Sequence, residues 1–191
     1  MKILALQGSP RREGNTQAVL EIVLQAAEHA GGQIKTVQLS ELKNFSGCME
    51  CFACQKEPNE PSCALEDDFQ PVLRAAWESD VVVWATPVFC WAPSWLAKMA
   101  MDRFFCMFKL QKDGSYESLL SGRRMATVIS AGSEENDGAD LVKETCRRMA
   151  QFSGSKWLGA FIADNAQNPD AIRADESLVE RARQFGWQLA S

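Results

Sequence analysis

The residues able to do chemistry fall into two groups. The first opens the chain, Met1-Lys-Ile-Leu-Ala-Leu-Gln-Gly8-Ser9-Pro-Arg11-Arg-Glu-Gly14-Asn15-Thr16. An apolar run, Ile3 to Leu6, reads as a buried strand. It ends in a turn of small and hydroxyl residues, and a helical pattern follows. Gly8 and Gly14 permit backbone angles that other residues resist. Ser9 and Thr16 supply hydroxyls, and a helix from about Asn15 turns its free N–H groups back at the turn. Such a turn is a phosphate cradle, each charge-assisted hydrogen bond in it worth about 1.5–3 kcal/mol. Five residues separate Gly8 from Gly14, and Asn15 stands where a P-loop carries lysine, so a nucleotide triphosphatase does not fit. The Gly-x-Gly-x-x-Gly dinucleotide fingerprint is missing because Ser9-Pro10 follow Gly8. A terminal phosphate monoester fits better, and an ordinary strand–turn–helix connection is the bland alternative. Arg11 offers the phosphate a planar fork, or points to solvent.

The second group is Cys48, Cys51, Cys54 and Cys63, separated by two, two and eight residues. Thiolates at this spacing wrap one iron–sulfur cluster, the compact triplet covering one face while a later residue closes the cage. Structural zinc, unmetallated thiols and a redox disulfide are the alternatives. Seven cysteines without a visible export signal favour free thiols or metal ligands over disulfides. Cys106 and Cys146 fall in helical patterns and read as small core residues. No Ser/His/Asp constellation is present, and His29, the only histidine, reads as solvated at a helix end. No protein acid, base or nucleophile is therefore assigned.

Alternating strands and helices must position these groups. The patterns predict strands over 2–6, 33–39, 81–85, 124–131 and 156–162, and helices over 16–30, 67–78, 94–108, 135–152 and 170–189. Asn44 to Glu66 reads as an irregular loop holding the cysteines. Five strands each followed by a helix imply an α/β doubly wound parallel sheet in three layers, in which ligands sit beyond the carboxyl ends of the strands. Residues 1–191 suit one domain. The uncharged stretch 81–97 is interrupted by Pro87 and Pro93 and falls short of a membrane span of about 20 residues. A net charge of −5 with no basic stripe argues against nucleic acid as a partner. No membrane association is expected, and the expected location is the cytoplasm.

Gly8-Ser9-Pro10-Arg11 through Gly14-Asn15-Thr16 resembles the FMN-phosphate loop of the flavodoxin-like NAD(P)H-dependent FMN reductases. Ala85-Thr86-Pro87-Val88-Phe89 resembles that family's second flavin loop, and Gly47-Cys48-Met-Glu-Cys51-Phe-Ala-Cys54 resembles the cysteine motif of its iron–sulfur flavoprotein branch. The resemblance implies a flavodoxin-like sheet of order 2-1-3-4-5. It also implies FMN held by Ser9, Arg11, Asn15 and Thr16 at the phosphate end. Thr86, Pro87, Val88, Phe89 and Trp91 would then line the ring, Phe89 or Trp91 lying along it, with Gly132 near its edge. A [4Fe–4S] cluster on Cys48, Cys51, Cys54 and Cys63 is implied by the branch, although the last spacing is longer than that branch leads one to expect. The implied activity is an FMN-dependent oxidoreductase that passes electrons from NAD(P)H, a transient substrate, or from a reduced ferredoxin-like carrier to a small acceptor such as a quinone, free flavin or iron. An iron–sulfur electron carrier without nicotinamide chemistry is the alternative, and a non-enzymatic FMN- or partner-binding module a third. Two apolar stripes on the helix 94–108, one with Leu96, Met99, Ala100 and Met107 and one with Met101, Phe105 and Phe108, predict a homodimer or homotetramer with this helix in the interface.

Overall fold

The computed structural model describes residues 1–191. In chain order the elements are β1 (Lys2–Gln7), α1 (Asn15–His29), β2 (Gln33–Gln38), α2 (Gln70–Glu78), β3 (Val81–Phe89), β4 (Ala92–Pro93) and α3 (Trp95–Arg103). Then follow β5 (Phe108–Leu110), β6 (Tyr116–Ser118), β7 (Arg124–Ser130), α4 (Asp140–Phe152), β8 (Lys156–Ala163), α5 (Pro169–Ala174) and α6 (Glu176–Leu189). The main sheet runs β2-β1-β3-β7-β8, all parallel, which is the order 2-1-3-4-5 of a flavodoxin-like fold. Alternation along the strands sends Leu4, Leu6, Val82 and Trp84 to one face and Ile3, Ala5, Val81, Val83 and Ala85 to the other. The first face carries α2, α3 and α4, and the second carries α1 and α6. Both faces are covered, which is why β1 and β3 are apolar without interruption.

Five boundaries differ from expectation. β3 continues past Ala85 to Phe89 because Val88 and Phe89 pair with Pro93 and Ala92 in a tight hairpin. The helix expected over 94–108 ends at Arg103, tightens into a 3-10 turn at Phe104–Met107, and gives way to a β5–β6 hairpin that the sequence did not announce. The helix expected from Glu135 begins at Asp140, because Asp137 and Gly138 leave helical angles. The last helix is two, with Asp175 ending α5 and capping α6 through its carboxylate. The helix expected from Asp67 begins at Gln70; the Asp67 carboxylate accepts from the Phe69 N–H at 3.1 Å and has a second partner.

That partner is Arg103. The two side chains are 1% and 4% exposed and meet at 2.6 Å. Arg103 also donates to the Ser46 carbonyl at 3.0 Å and lies 5.4 Å from the Phe69 ring centre. One buried guanidinium thus ties the start of the cysteine loop to α3 and to the approach of α2. Of the two stripes, one expected to cover the sheet and the other to face a partner, both are mostly turned inward: Leu96, Ala100, Met101, Met107 and Phe108 are all buried in this chain's own core. The reason is the break at Arg103, which rotates Phe108 back under the sheet side of the molecule. The apolar side chain that α3 leaves at the surface is Trp95, with Met99 half-buried.

Two substitutions test this packing. A Cβ at Gly186 would stand 2.2 Å from the Val23 carbonyl oxygen, where α6 crosses α1. Gly186→Ala should therefore lower unfolding stability by about 1–3 kcal/mol or more, read from urea midpoints, and a loss under about 0.5 kcal/mol contradicts this contact. Asp67→Ala leaves Arg103 charged and buried alone, at an expected cost of about 3–5 kcal/mol in the same assay.

Candidate functional site

The carboxyl ends of β1, β3 and β7 open on one cleft. Two backbone strokes set its floor. The Gly8 N–H donates to the Ala85 carbonyl at 2.7 Å, and a Cβ on Gly8 would stand 2.7 Å from the Ala97 Cβ. Glycine is required there by close approach. The Ser94 hydroxyl, fully buried, donates to the Gly8 carbonyl at 2.5 Å and accepts from the Ala97 N–H, while the Ser94 N–H donates to the Thr86 hydroxyl at 2.9 Å. The loop after β1, the loop after β3 and the start of α3 are thereby one unit.

At one end of the cleft are Ser9, Arg11, Gly14, Asn15, Thr16 and Ser130. The Ser9 N–H is taken by the Gln7 amide oxygen at 2.7 Å, and the Ser9 carbonyl accepts from Gln38 at 2.9 Å. Its hydroxyl accepts from the Arg11 N–H at 3.1 Å, which leaves the hydroxyl proton free to donate. Gly14 caps α1 without a side-chain acceptor, so the first-turn N–H groups are open toward the cleft. Thr16 and Ser130 share one hydrogen bond of 2.7 Å between their hydroxyls, and the pair keeps one proton to give. The Asn15 amide donates to the Ala166 carbonyl at 2.8 Å, while its own oxygen is buried without a partner. Arg12 turns away to pair with Glu41 at 2.7 Å.

The other end is apolar, with Pro87, Val88, Phe89 and Ala131 beside Gly132. The whole cleft holds about 660 Å³ of empty space, part of it open to solvent. Thr86 does not line it. It lies beneath, fully buried, its hydroxyl donating to the Pro87 carbonyl. Trp91 also stands outside the cleft wall. Cys90 and Trp91 form the hairpin turn with φ of 48° and 62°, the left-handed pair such a turn needs, on residues that are not glycine. The turn is held from across the cleft rim: the Trp91 indole N–H donates to Asp137 at 2.9 Å, and the indole rests on Gly138, where a Cβ would come within 2.9 Å of it. This contact explains the interruption before α4. Ser94, Ser130, Gln7 and Gln167 are site residues that sequence reasoning missed. Ser130, at the end of β7, had a signal in its place at a strand's carboxyl end.

The second constellation lies elsewhere. Cys48, Cys51, Cys54 and Cys63 line one small, almost wholly apolar hollow that is partly open to solvent, with Arg103 and Cys106 also in its wall. Gln70 holds the Cys63 and Leu65 carbonyls, Gln55 bridges to the Phe108 carbonyl and the Leu110 N–H, and the Lys109 ammonium donates to the Cys54 carbonyl at 2.9 Å. Cys106, read from sequence as a core residue, is buried in the core and also faces the hollow. Burial pushes its thiol up to about 12, with Cys54 and Cys63 nearby adding to the rise. Burial also raises the Cys54 thiol and lowers the Lys109 ammonium. For Arg103 burial works downward, but the bonds to Asp67, with Cys63 alongside, outweigh it and raise the guanidinium. No three of the thiol, carboxylate or imidazole groups converge where a single ion would sit.

No helix is long and apolar enough to cross a membrane. The fold has close counterparts among solved structures: an NAD(P)H:quinone oxidoreductase from Methanothermobacter marburgensis superposes with a TM-score of 0.75 over 98% of either chain at 19% identity. An iron-sulfur flavoprotein of Methanocaldococcus jannaschii is 32% identical over 103 residues, 54% of this chain and 51% of its own length. The match thus spans about half of that relative. An iron-sulfur flavoprotein of Methanosarcina thermophila is 23% identical over 159 residues, 83% of this chain and 78% of its own. The profile of the NADPH-dependent FMN reductase family matches residues 1–167, from the glycine turn through the whole sheet. The chain belongs to the NADPH-dependent FMN reductase family.

Proposed function

We propose that residues 1–191 work as one FMN-binding oxidoreductase domain that takes electrons from NAD(P)H, or from a reduced carrier, and passes them to a small acceptor such as a quinone, free flavin or iron. The observation that carries this reading is the polarity of the cleft, donor-rich at the turn after β1 and apolar at the turn after β3. FMN has the matching halves, a phosphate monoester and a flat ring. The residues fit it in a further respect: the orphaned Asn15 oxygen lacks a donor, and the ribityl hydroxyls between phosphate and ring are donors.

In this reading Ser9, Thr16 and the first-turn N–H groups of α1 bind the phosphate, and Arg11 closes over it. Ser130 shares one hydrogen bond with the Thr16 hydroxyl and so orients it. Pro87, Val88 and Phe89 hold the ring face, and Gly132 leaves its edge uncrowded, since a Cβ there would meet nothing within 4 Å. Trp91 serves the ring only by fixing the hairpin that carries Phe89. Bound FMN supplies hydride and one-electron transfer; the chain supplies no acid or base.

The hollow supports a [4Fe–4S] cluster on Cys48, Cys51, Cys54 and Cys63. Four thiols spread around an apolar space suit a cluster, in which each iron takes one thiolate, better than one zinc, which needs all its sulfurs at about 2.3 Å. The same hollow favours a second reading, an iron–sulfur electron carrier with no nicotinamide chemistry. Assembly into a homodimer or homotetramer belongs to the proposal, and exposed Phe52, Tyr116 and Phe152 offer an apolar face in addition to Trp95 of α3.

Anaerobic stopped-flow mixing with NADH or NADPH should bleach the flavin rapidly. Failure to bleach, with reduction by a ferredoxin instead, gives the carrier reading, and failure to bind FMN at all ends both. Ser9→Ala removes one charge-assisted donor worth about 1.5–3 kcal/mol. It should weaken FMN binding about 10- to 100-fold in a fluorescence titration, and a change under about twofold contradicts the cradle.

A further inference from the structure

Two buried cations stand at the cysteine hollow, and one buried carboxylate, Asp67, pairs with the first. Arg103 is 1% exposed and lines the hollow beside Cys63. Asp67 takes two of its nitrogens, Ser46 shares one, and the third nitrogen, Nε, is buried without a partner. Lys109 is 3% exposed and reaches the hollow from behind through the Cys54 carbonyl. It makes no ion pair. Of the carboxylates near it, Glu57 is exposed and Glu60 is turned to Arg74 at 3.2 Å. Burying a cation without a counter-charge is costly. A wall with this surplus of positive charge suits an anionic occupant.

We propose that Arg103 and Lys109 are positioning residues that stabilise negative charge in the hollow and so raise the reduction potential of the iron–sulfur group carried by Cys48, Cys51, Cys54 and Cys63. The inference rests on the cluster reading given above. Four thiolates outweigh the charge of an oxidised [4Fe–4S] core, so the assembled group is a net anion. Taking up one electron, from reduced flavin in turnover or from dithionite in the test, makes it more negative, with no bond made or broken. Nearby fixed positive charge on the buried side of the hollow, where Arg103, Lys109, Cys54 and Cys106 lie, favours that more negative state, and cluster potentials follow net charge, hydrogen bonding to sulfur and solvent exposure. The two cations differ in how they act. Arg103 faces the occupant directly. Lys109 acts through the Cys54 peptide, and its removal leaves the ion pair that anchors the loop untouched, so it is the cleaner probe.

The test is a redox titration of the anaerobically purified full chain, followed by the visible spectrum and by electron paramagnetic resonance, for the wild type, Lys109→Gln, Lys109→Met and Lys109→Arg. Lys109→Gln and Lys109→Met should each make the cluster about tenfold harder to reduce, a downward shift of about 59 mV for a one-electron couple. Lys109→Arg should restore most of it. An unchanged potential in the neutral variants overturns the proposal, as does an equal fall in Lys109→Arg, which would mark a packing effect. If the neutral variants lose their iron, recovery of iron in Lys109→Arg supports charge compensation, and no recovery overturns it. Wild-type protein with FMN but no iron or sulfide removes the cluster reading itself, and this inference with it. That outcome is told apart from the others by iron and sulfide assays made before any titration.

Discussion

The structure depends on how closely β1 and β3 finish together. The Gly8 N–H meets the Ala85 carbonyl at 2.7 Å, and the Ser94 hydroxyl returns from the start of α3 to the Gly8 carbonyl. These groups are buried, and each left unmade costs about 1–3 kcal/mol, so the network holds as a unit. Its consequence is a fixed separation between the two ends of the cleft. The donor-rich turn belongs to β1 and the apolar turn to β3, and their spacing is set by backbone rather than by flexible side chains. In a doubly wound sheet this is the switch point, where neighbouring loops diverge and leave room for a ligand.

The cysteine loop has the opposite design. Between Asn44 and Glu66 there is one short 3-10 turn and otherwise no regular structure. Long loops of this kind in compact folds tend to be functional or disordered. Here the loop is shaped from outside, by side chains that reach its carbonyls: Arg103 from α3, Gln70 from α2, and Lys109 from the β5–β6 hairpin. The hairpin, with no role in the cleft, thereby has one at the hollow. Phe52 packs edge-on against Phe105, 5.7 Å between ring centres, and so joins the loop to the same hairpin region.

Much of this was legible along the chain. Period-2 and continuous apolar runs gave the five parallel strands, and the glycine turn with its hydroxyls marked the end of β1 as the place for an anion. The misreadings share a cause. The pattern over 94–108 looks like one apolar helix, but the core takes both stripes by breaking it at Arg103. Glu135 to Ala139 falls within the pattern read as one helix over 135–152, yet Gly138 is claimed by the Trp91 indole pressed against it. Ser94 and Ser130 went unread because a serine records nothing locally about a partner 86 or 114 residues away.

By itself the sequence determined which segments must be strands, which turn is built for a phosphate, and that four thiols belong together. Those follow from local backbone freedom, hydrophobic period and spacing, which neighbours in the chain suffice to define. Only the tertiary structure decided that Thr16 leans on Ser130, that Trp91 stands off the cleft while Phe89 lines it, and that Arg103 and Lys109 place positive charge against the thiols. Each of these is a contact between distant segments, fixed when the sheet and its covering helices close and buried groups must find partners.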